Sequence, residues 1–425
     1  MPGVAPHLVE LKVQPDLVPT QLAGAENAFY LRSQGVTYCG AFSDQVSHRL
    51  DPSSSSVLAG APQVSGVDVP QWVGVLPYEA FRDLERRSGH DVRPATIWDR
   101  PLWHRYPAAA AICGDTARIT GETREAVTRL AAVFSSSNGL PREAPSLSWR
   151  TPPEPAELHR RRIGLALDYI AQGDLYQVNL ARRFEMWAQG GPFALLAALE
   201  RGGEAPFGAA FHFGDRALVS LSPELFLDAS LDGEIYTRPI KGTRPRLADA
   251  LLDAALILDL DHSEKERAEL SMIIDIERND LGRLAETGSV HLRRAPQVVT
   301  YPTVHHREAE IGARLPLGTT WEHVLSVMCP SGSVTGAPKV SAMDVIARLE
   351  AHRRGLYTGA LGFIARSGRL SLSMAIRTLM LEGQRAEYFS GGGIVADSDP
   401  QQEVEETLWK AEQLSSLVEL GRALR

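Results

Sequence analysis

Up to about Arg142 the chain alternates short apolar runs with Gly, Pro and Ser, as in Ser53 to Val69, and this pattern predicts strands joined by loops. Residues 141 to 155 hold five prolines and few apolar side chains, so they read as a connector rather than an element. A boundary near residue 150 follows, dividing an N-terminal portion, 1–150, from a second portion, 151–425. Beyond it Ile163, Leu167 and Ile170 recur at i, i+4 and i+7 between Pro155 and Gly173, which predicts a helix over about 156–172. Glu266 to Leu281 reads as a helix apolar on most of its circumference. Near the C-terminal end Val404, Leu408 and Ala411 form one stripe of a further helix, with Glu403, Glu406 and Lys410 on a line about 100° round.

Glycine collects late, in 332–336, 355–362 and 391–393, where backbone must come close to something or take positive φ, as around a small-molecule site. The 425 residues, 44% hydrophobic and 23% charged, describe a soluble globular chain with a large core; length alone allows two or three domains or one elaborate α+β unit. The net charge of −8 and the lack of a long Lys/Arg run exclude nucleic acid as the expected partner. Cys39, Cys113 and Cys329 are too few and too scattered for a disulfide frame or a zinc site, and no stretch has the apolar length of a membrane span. The expected location is the cytoplasm.

Within the predicted helix, Glu269 shares a face with Met272, Ile273 and Ile276, so a buried carboxylate is expected there, answered by a salt bridge, a hydrogen-bond network or a metal ion. Glu403, Glu406 and Lys410 fit either a solvated face with i, i+4 pairing or, together with Glu269, a magnesium site, since magnesium takes only a few protein carboxylates. Lys241 stands among Arg238, Arg244 and Arg246. That crowding favours a neutral, nucleophilic amine, or else the segment is an anion-binding loop. Residues 332–339 lack the spacing of a phosphate loop. His305 and His306 are adjacent, so in a strand only one can face a given site.

These pieces resemble the chorismate-utilising family that includes component I of anthranilate synthase, aminodeoxychorismate synthase, and the isochorismate and salicylate synthases. The resemblance runs from about 70 to 415. It rests on Gly173-Asp174-Leu175-Tyr176-Gln177-Val178-Asn179-Leu180, Ser222-Pro223-Glu224, Arg238 to Arg246, and Ala268-Glu269 continuing to Arg278-Asn279-Asp280-Leu281-Gly282-Arg283. It continues through Gly332 to Lys339, Tyr357 to Gly362, Ile376-Arg377-Thr378, Gly391 to Val395, and Glu403-x-x-Glu406 leading to Lys410.

The resemblance implies an anthranilate synthase component I-like α+β fold, two packed antiparallel sheets with outer helices, and an active site in a cleft. The N-terminal portion then contributes to the same core. It also implies roles: Lys241 as nucleophile, Glu224 as acid, His306 at the position linked to pyruvate elimination in anthranilate synthases, and Glu269, Glu403 and Glu406 as ligands of Mg2+. Gly242, Thr243, Thr335, Tyr357, Arg377, Gly391, Gly392, Gly393 and Lys410 match substrate-contacting positions. Water-adding members carry lysine at the position of Gln177, and anthranilate synthases typically carry alanine at the position of Lys241. Gln177 with Lys241 is therefore the combination of aminodeoxychorismate synthases, which aminate chorismate. The residues after His306, Arg307-Glu308-Ala309, and the segment Tyr30-Leu31-Arg32-Ser33 depart from the family's leucine-x-serine and tryptophan-site patterns. No glutamine amidotransferase motif is present, so ammonia is expected from a separate glutaminase subunit. The competing readings are anthranilate formation and a non-catalytic chorismate-binding regulator.

Overall fold

A computed structural model describes residues 7–58, 67–82, 93–135, 144–152 and 154–418. Residues 59–66 of the predicted N-terminal strand-and-loop run, and 141–143 and 153 of the predicted connector, lie outside the described residues. Two antiparallel sheets dominate, one of 12 strands and one of 10. Their central strands carry long apolar runs because both faces are covered. In Phe207–Phe213, Ala209, Phe211 and Phe213 point into the core between the sheets, while Ala210 points to a second core under helices. In Pro70–Leu76, Val73 and Val75 face the inter-sheet core, and Trp72 and Leu76 face the core behind the smaller sheet. Period-two alternation is thus present, yet hidden in composition because each side is apolar.

The N-terminal 150 residues supply strands to both sheets. Phe29–Ser33 pairs with Phe207–Phe213 in the larger one, and Pro70–Leu76 pairs with Ala360–Ala365 in the smaller. The helix expected over 156–172 is found at Ala156–Ala171, with Ile163 fully buried. The expected connector is partly an element: Ser146–Trp149 is a strand on Gln177–Gln189, with Leu147 buried. Alternation in so short a segment cannot outweigh five prolines on the page, but sheet pairing can outweigh them in the fold.

Three elements then position the cleft. Arg385–Ile394, ending in the glycine run, pairs with Gln177–Gln189 so that Asn179 faces Gly393 and Ala181 faces Gly391. Ile240–Pro245 pairs with Val304–Arg314 at the border of the smaller sheet. Helices Glu264–Gly282 and Pro400–Ala411 pack nearby; Ser263 caps the first through the Glu266 N–H, and Asp399 caps the second through the N–H groups of Gln401 and Gln402.

Candidate active site

A cleft of about 700 Å3 opens where the glycine strand meets the border of the smaller sheet. Its wall is shaped by a bulge. Lys241 pairs with Arg307 and Thr243 with His306, so Gly242 is the extra residue, at φ +81°. Any side chain at 242 meets Leu260 and Glu266, its Cβ only 2.6 Å from Leu260 Cδ1. The offset lets the Thr243 hydroxyl meet His306 Nδ1 at 2.9 Å. His305, one residue away, turns to Thr300 and Asp253 instead, so one histidine of the pair faces the cleft, as the strand geometry requires.

Lys241, Glu224, His306, Gly242, Thr243, Tyr357, Arg377, Gly391, Gly393, Lys410, Glu269, Glu403 and Glu406 all line the cleft. Thr335 and Gly392 do not. The Thr335 side chain is fully buried and its hydroxyl donates to Ser331 O at 2.8 Å, closing its own turn. Gly392 serves from behind: a Cβ there would lie 2.8 Å from Glu403 Oε2 and 3.8 Å from Glu406 Oε1, so its bareness makes room for both carboxylates.

The crowding of positive charge expected around Lys241 is not what the fold delivers. Arg238 pairs with Glu310 at 3.0 Å, Arg244 with Glu266 at 2.9 Å and Arg246 with Asp253 at 3.1 Å, so each guanidinium is neutralised by a carboxylate. The charges acting on Lys241 from across the cleft are those of Glu224, Glu269 and Glu406.

Glu224 is 5% exposed, and burial pushes its carboxyl up to about 7 against the pull of Lys241 and of the Ser333 hydroxyl, which donates to Oε1 at 3.2 Å. A carboxyl poised there can both give and take a proton near neutrality. Burial, helped by Arg377, holds the His306 imidazole down to about 3, so the ring is neutral, and its Nε2 has no hydrogen-bond partner among the described residues. Arg377 forms no salt bridge among the described residues and is half-buried in the cleft wall, a guanidinium ready for a carboxylate. Tyr357 stacks on Phe389 at 5.4 Å between ring centres, and Lys410 donates to Gly391 O at 2.7 Å.

The three carboxylates expected to hold a metal share the cleft, with unequal environments. Glu269 is half-buried, 4.0 Å from Lys265; burial raises its carboxyl while Lys241 and Lys265 oppose. Glu403 is buried and accepts from Ser398 at 2.7 Å; burial raises it too. For Glu406 burial is outweighed by Lys410, 2.6 Å away, and its carboxyl is lowered. Among the described residues no three such side chains converge closely enough to hold an ion as they stand. The donor set is nonetheless of the hard-oxygen kind magnesium prefers, and Gly392 leaves room beside Glu403 and Glu406.

Sequence reasoning missed Lys265, although it stands four residues before Glu269 on the same helix, where i, i+4 pairing is the rule. It missed Ser333, Asn179, Tyr388 and Trp409, which also line the cleft, and it missed Glu277, the fully buried carboxyl of the Glu264–Gly282 helix. Among the described residues no helix is long and apolar enough to cross a membrane.

Component 1 of aminodeoxychorismate synthase from Klebsiella aerogenes is 43% identical over 246 residues, 58% of this chain and 54% of that protein. An anthranilate synthase component 1 from Haloarcula marismortui is 40% identical over 263 residues, 61% of this chain and 54% of that protein. This chain spans about half the length of the curated relatives it matches. The crystal structure of anthranilate synthase component I from Streptococcus pneumoniae superposes with a TM-score of 0.73 at 26% identity, over 98% of this chain and 93% of that one. The model of the chorismate binding enzyme family matches residues 28–416, and the chain belongs to that family.

Proposed function

We propose that the protein is component I of an aminodeoxychorismate synthase, converting chorismate and ammonia to 4-amino-4-deoxychorismate through a covalent bond to Lys241. The observation that carries this reading is a lysine in the cleft that faces the carboxylates of Glu224, Glu269 and Glu406. The relatives named aminodeoxychorismate synthase support it.

Hydroxide leaves a ring carbon poorly, so the reaction needs a proton donor for it and a nucleophile that divides one hard substitution into two easier ones. A proton from the Lys241 ammonium passes to Glu224, whose burial-raised carboxyl retains it near pH 7. The freed amine bonds to C2 of chorismate, the two ring double bonds shift, and the C4–O bond breaks as Glu224 gives its proton to the departing hydroxyl, which leaves as water. Ammonia then bonds to C4, the double bonds shift back, and Lys241 departs, regaining a proton. Arg377 and Lys410 suit the two carboxylates of chorismate, and Tyr357 and the bare backbone of Gly391 and Gly393 form the wall against which the ring lies. Mg2+, held by Glu269, Glu406 and Glu403 directly or through water, would bind the ring carboxylate and offset the charge that gathers there. His306, neutral and hydrogen-bonded to Thr243, holds the bulge at Gly242 in place.

Ammonia comes from a separate glutamine amidotransferase subunit in a cytoplasmic complex; the word component in the relatives' names supports a partner. The second reading, anthranilate formation, draws on the 40% identical relative and on His306 in the cleft, but it leaves Lys241 without a task. A regulator that binds chorismate without chemistry has no need of the full carboxylate set.

The test is the product formed from chorismate, magnesium and an ammonium salt, read by mass spectrometry for wild type and Lys241→Ala together. A product that keeps the enolpyruvyl group, with a rate loss of about 10^3 or more in the variant, is expected. Anthranilate with free pyruvate from wild type would overturn the reading.

A further inference from the structure

Behind the cleft lies a second buried carboxyl that the mechanism does not use. Glu277 is 1% exposed and lines no cavity wall of the site. Its Oε1 accepts from the Ser331 hydroxyl at 2.7 Å; Ser331 Oγ accepts from the Ser333 N–H at 3.1 Å; and Ser333 Oγ donates to Glu224 Oε1. One short turn therefore joins the two carboxyls. The turn is locked to the Glu264–Gly282 helix at two successive residues, since Gly332 lies so close to Ile276 that a Cβ there would be 2.3 Å from Ile276 Cγ2. Thr335 ties the turn to itself through Ser331 O.

The charged and titratable groups facing Glu277 are Asp280, one turn along on its own helix, Lys339 at the start of the Lys339–Leu349 helix, Glu224 just before the Leu225–Ala229 strand, and the Cys329 thiol. Lys339 is committed to Asp280 at 2.7 Å. Among the described residues Glu277 Oε2 has no hydrogen-bond partner, and Ser331 is the one group bonded to its carboxyl. A leucine would fill this place at less cost in desolvation, so a carboxyl kept here with a single hydroxyl bond needs a reason beyond packing.

We propose that Glu277 is a positioning residue for Glu224, acting through the Ser331–Ser333 turn to aim the Ser333 hydroxyl at the acid. The proposal rests on the reading of Glu224 as the acid of the reaction. With the turn held, Ser333 bonds one oxygen of Glu224, favours its ionised form and so opposes burial; with the turn released, burial acts alone and the acid holds its proton to higher pH.

The experiment compares Glu277→Gln, Glu277→Leu, Ser333→Ala, Glu277→Leu/Ser333→Ala and Glu224→Gln in the full chain, with chorismate, magnesium and ammonium salt, following kcat and KM from about pH 5 to 9. Gln retains an acceptor for Ser331 and is expected to stay within about threefold of wild type, whereas Leu lowers kcat about tenfold with KM within about twofold. Leu and Ser333→Ala both move the acidic limb to higher pH, because Glu224 must be ionised to take the proton of Lys241, and the double variant is no worse than the worse single one, because both changes cut the same chain of bonds. Should Leu fail to fold, Glu277→Asp, one methylene short of Ser331, is expected to give the same upward shift. A lower kcat with the limb unmoved, a change in KM alone, or losses that multiply in the double variant would each overturn the proposal. An active Glu224→Gln with an unaltered acidic limb would instead remove Glu224 from its assigned role, a separate failure.

Discussion

Glu269 and Glu277 sit on one helix, eight residues apart, and live in different electrostatic worlds. Glu269 looks into the cleft, 22% of its side chain exposed, with Lys241 and Lys265 both drawing on its charge. Glu277 looks into protein, where the nearest lysine is already held by Asp280 and a single hydroxyl answers it. Burial raises both carboxyls, but only at Glu277 does it carry the group to about 7. A buried carboxylate beside cations is prepared to meet another cation or substrate; one beside hydroxyls is prepared to hold a proton and a shape.

The comparison breaks most visibly if Glu269 can be removed without harm. Glu269→Ala is expected to lower chorismate turnover by about 10^2 to 10^3 and to abolish its dependence on added magnesium; steady-state rates over a magnesium titration check this, and a variant retaining most of its rate would remove Glu269 from the charged side of the contrast. Stability against pH sharpens the other side. Glu277 has a folded-state pKa raised from 4.5 to about 7, so its favourable contribution is complete below about pH 4.5 and is lost as pH rises through 7. Glu277→Gln should therefore stabilise the fold at pH 8 by roughly 1–3 kcal/mol relative to wild type and by much less at pH 5, read from denaturant midpoints at the two pH values. Equal effects at both would mean that Glu277 does not change protonation in this range. The smallest effect belongs to Lys265→Ala, whose 4.0 Å pair with Glu269 is largely solvated; stability should change by less than about 0.5 kcal/mol and turnover by less than about threefold. A loss approaching that of Glu269→Ala would make Lys265 part of the chemistry.

Much of this arrangement was legible in the amino-acid order because it depends on local spacing. The Ala156–Ala171 helix, the line Glu403, Glu406 and Lys410 on a capped helix, and the opposed faces of His305 and His306 all follow from period and neighbours. What the order hid was pairing across the fold. Arg238, Arg244 and Arg246 look like a cloud of positive charge around Lys241 until their carboxylate partners arrive from three other segments. Ser146–Trp149 looks like a linker until Gln177–Gln189 offers it an edge. Apolar neighbours along the helix suggested burial for Glu269, yet its exposure is decided by the cleft opposite, and Glu277, flanked by Ile276 and Arg278, gives no local sign of its fate. Thr335 sits in a glycine-rich motif, but its direction is fixed by a turn that closes on itself.

The sharing of both sheets by early and late strands bears on how the chain is made. Phe29–Ser33 waits for Phe207–Phe213, and Pro70–Leu76 waits for Ala360–Ala365, nearly 300 residues downstream. On a ribosome adding about 5–20 residues each second, the first strands emerge many seconds before their neighbours and must persist with open edges. Partial products truncated before residue 360 leave Pro70–Leu76 without that partner, so they should be prone to aggregation or dependent on chaperones, and the cleft, built from residues as late as Lys410, assembles only when synthesis is nearly over.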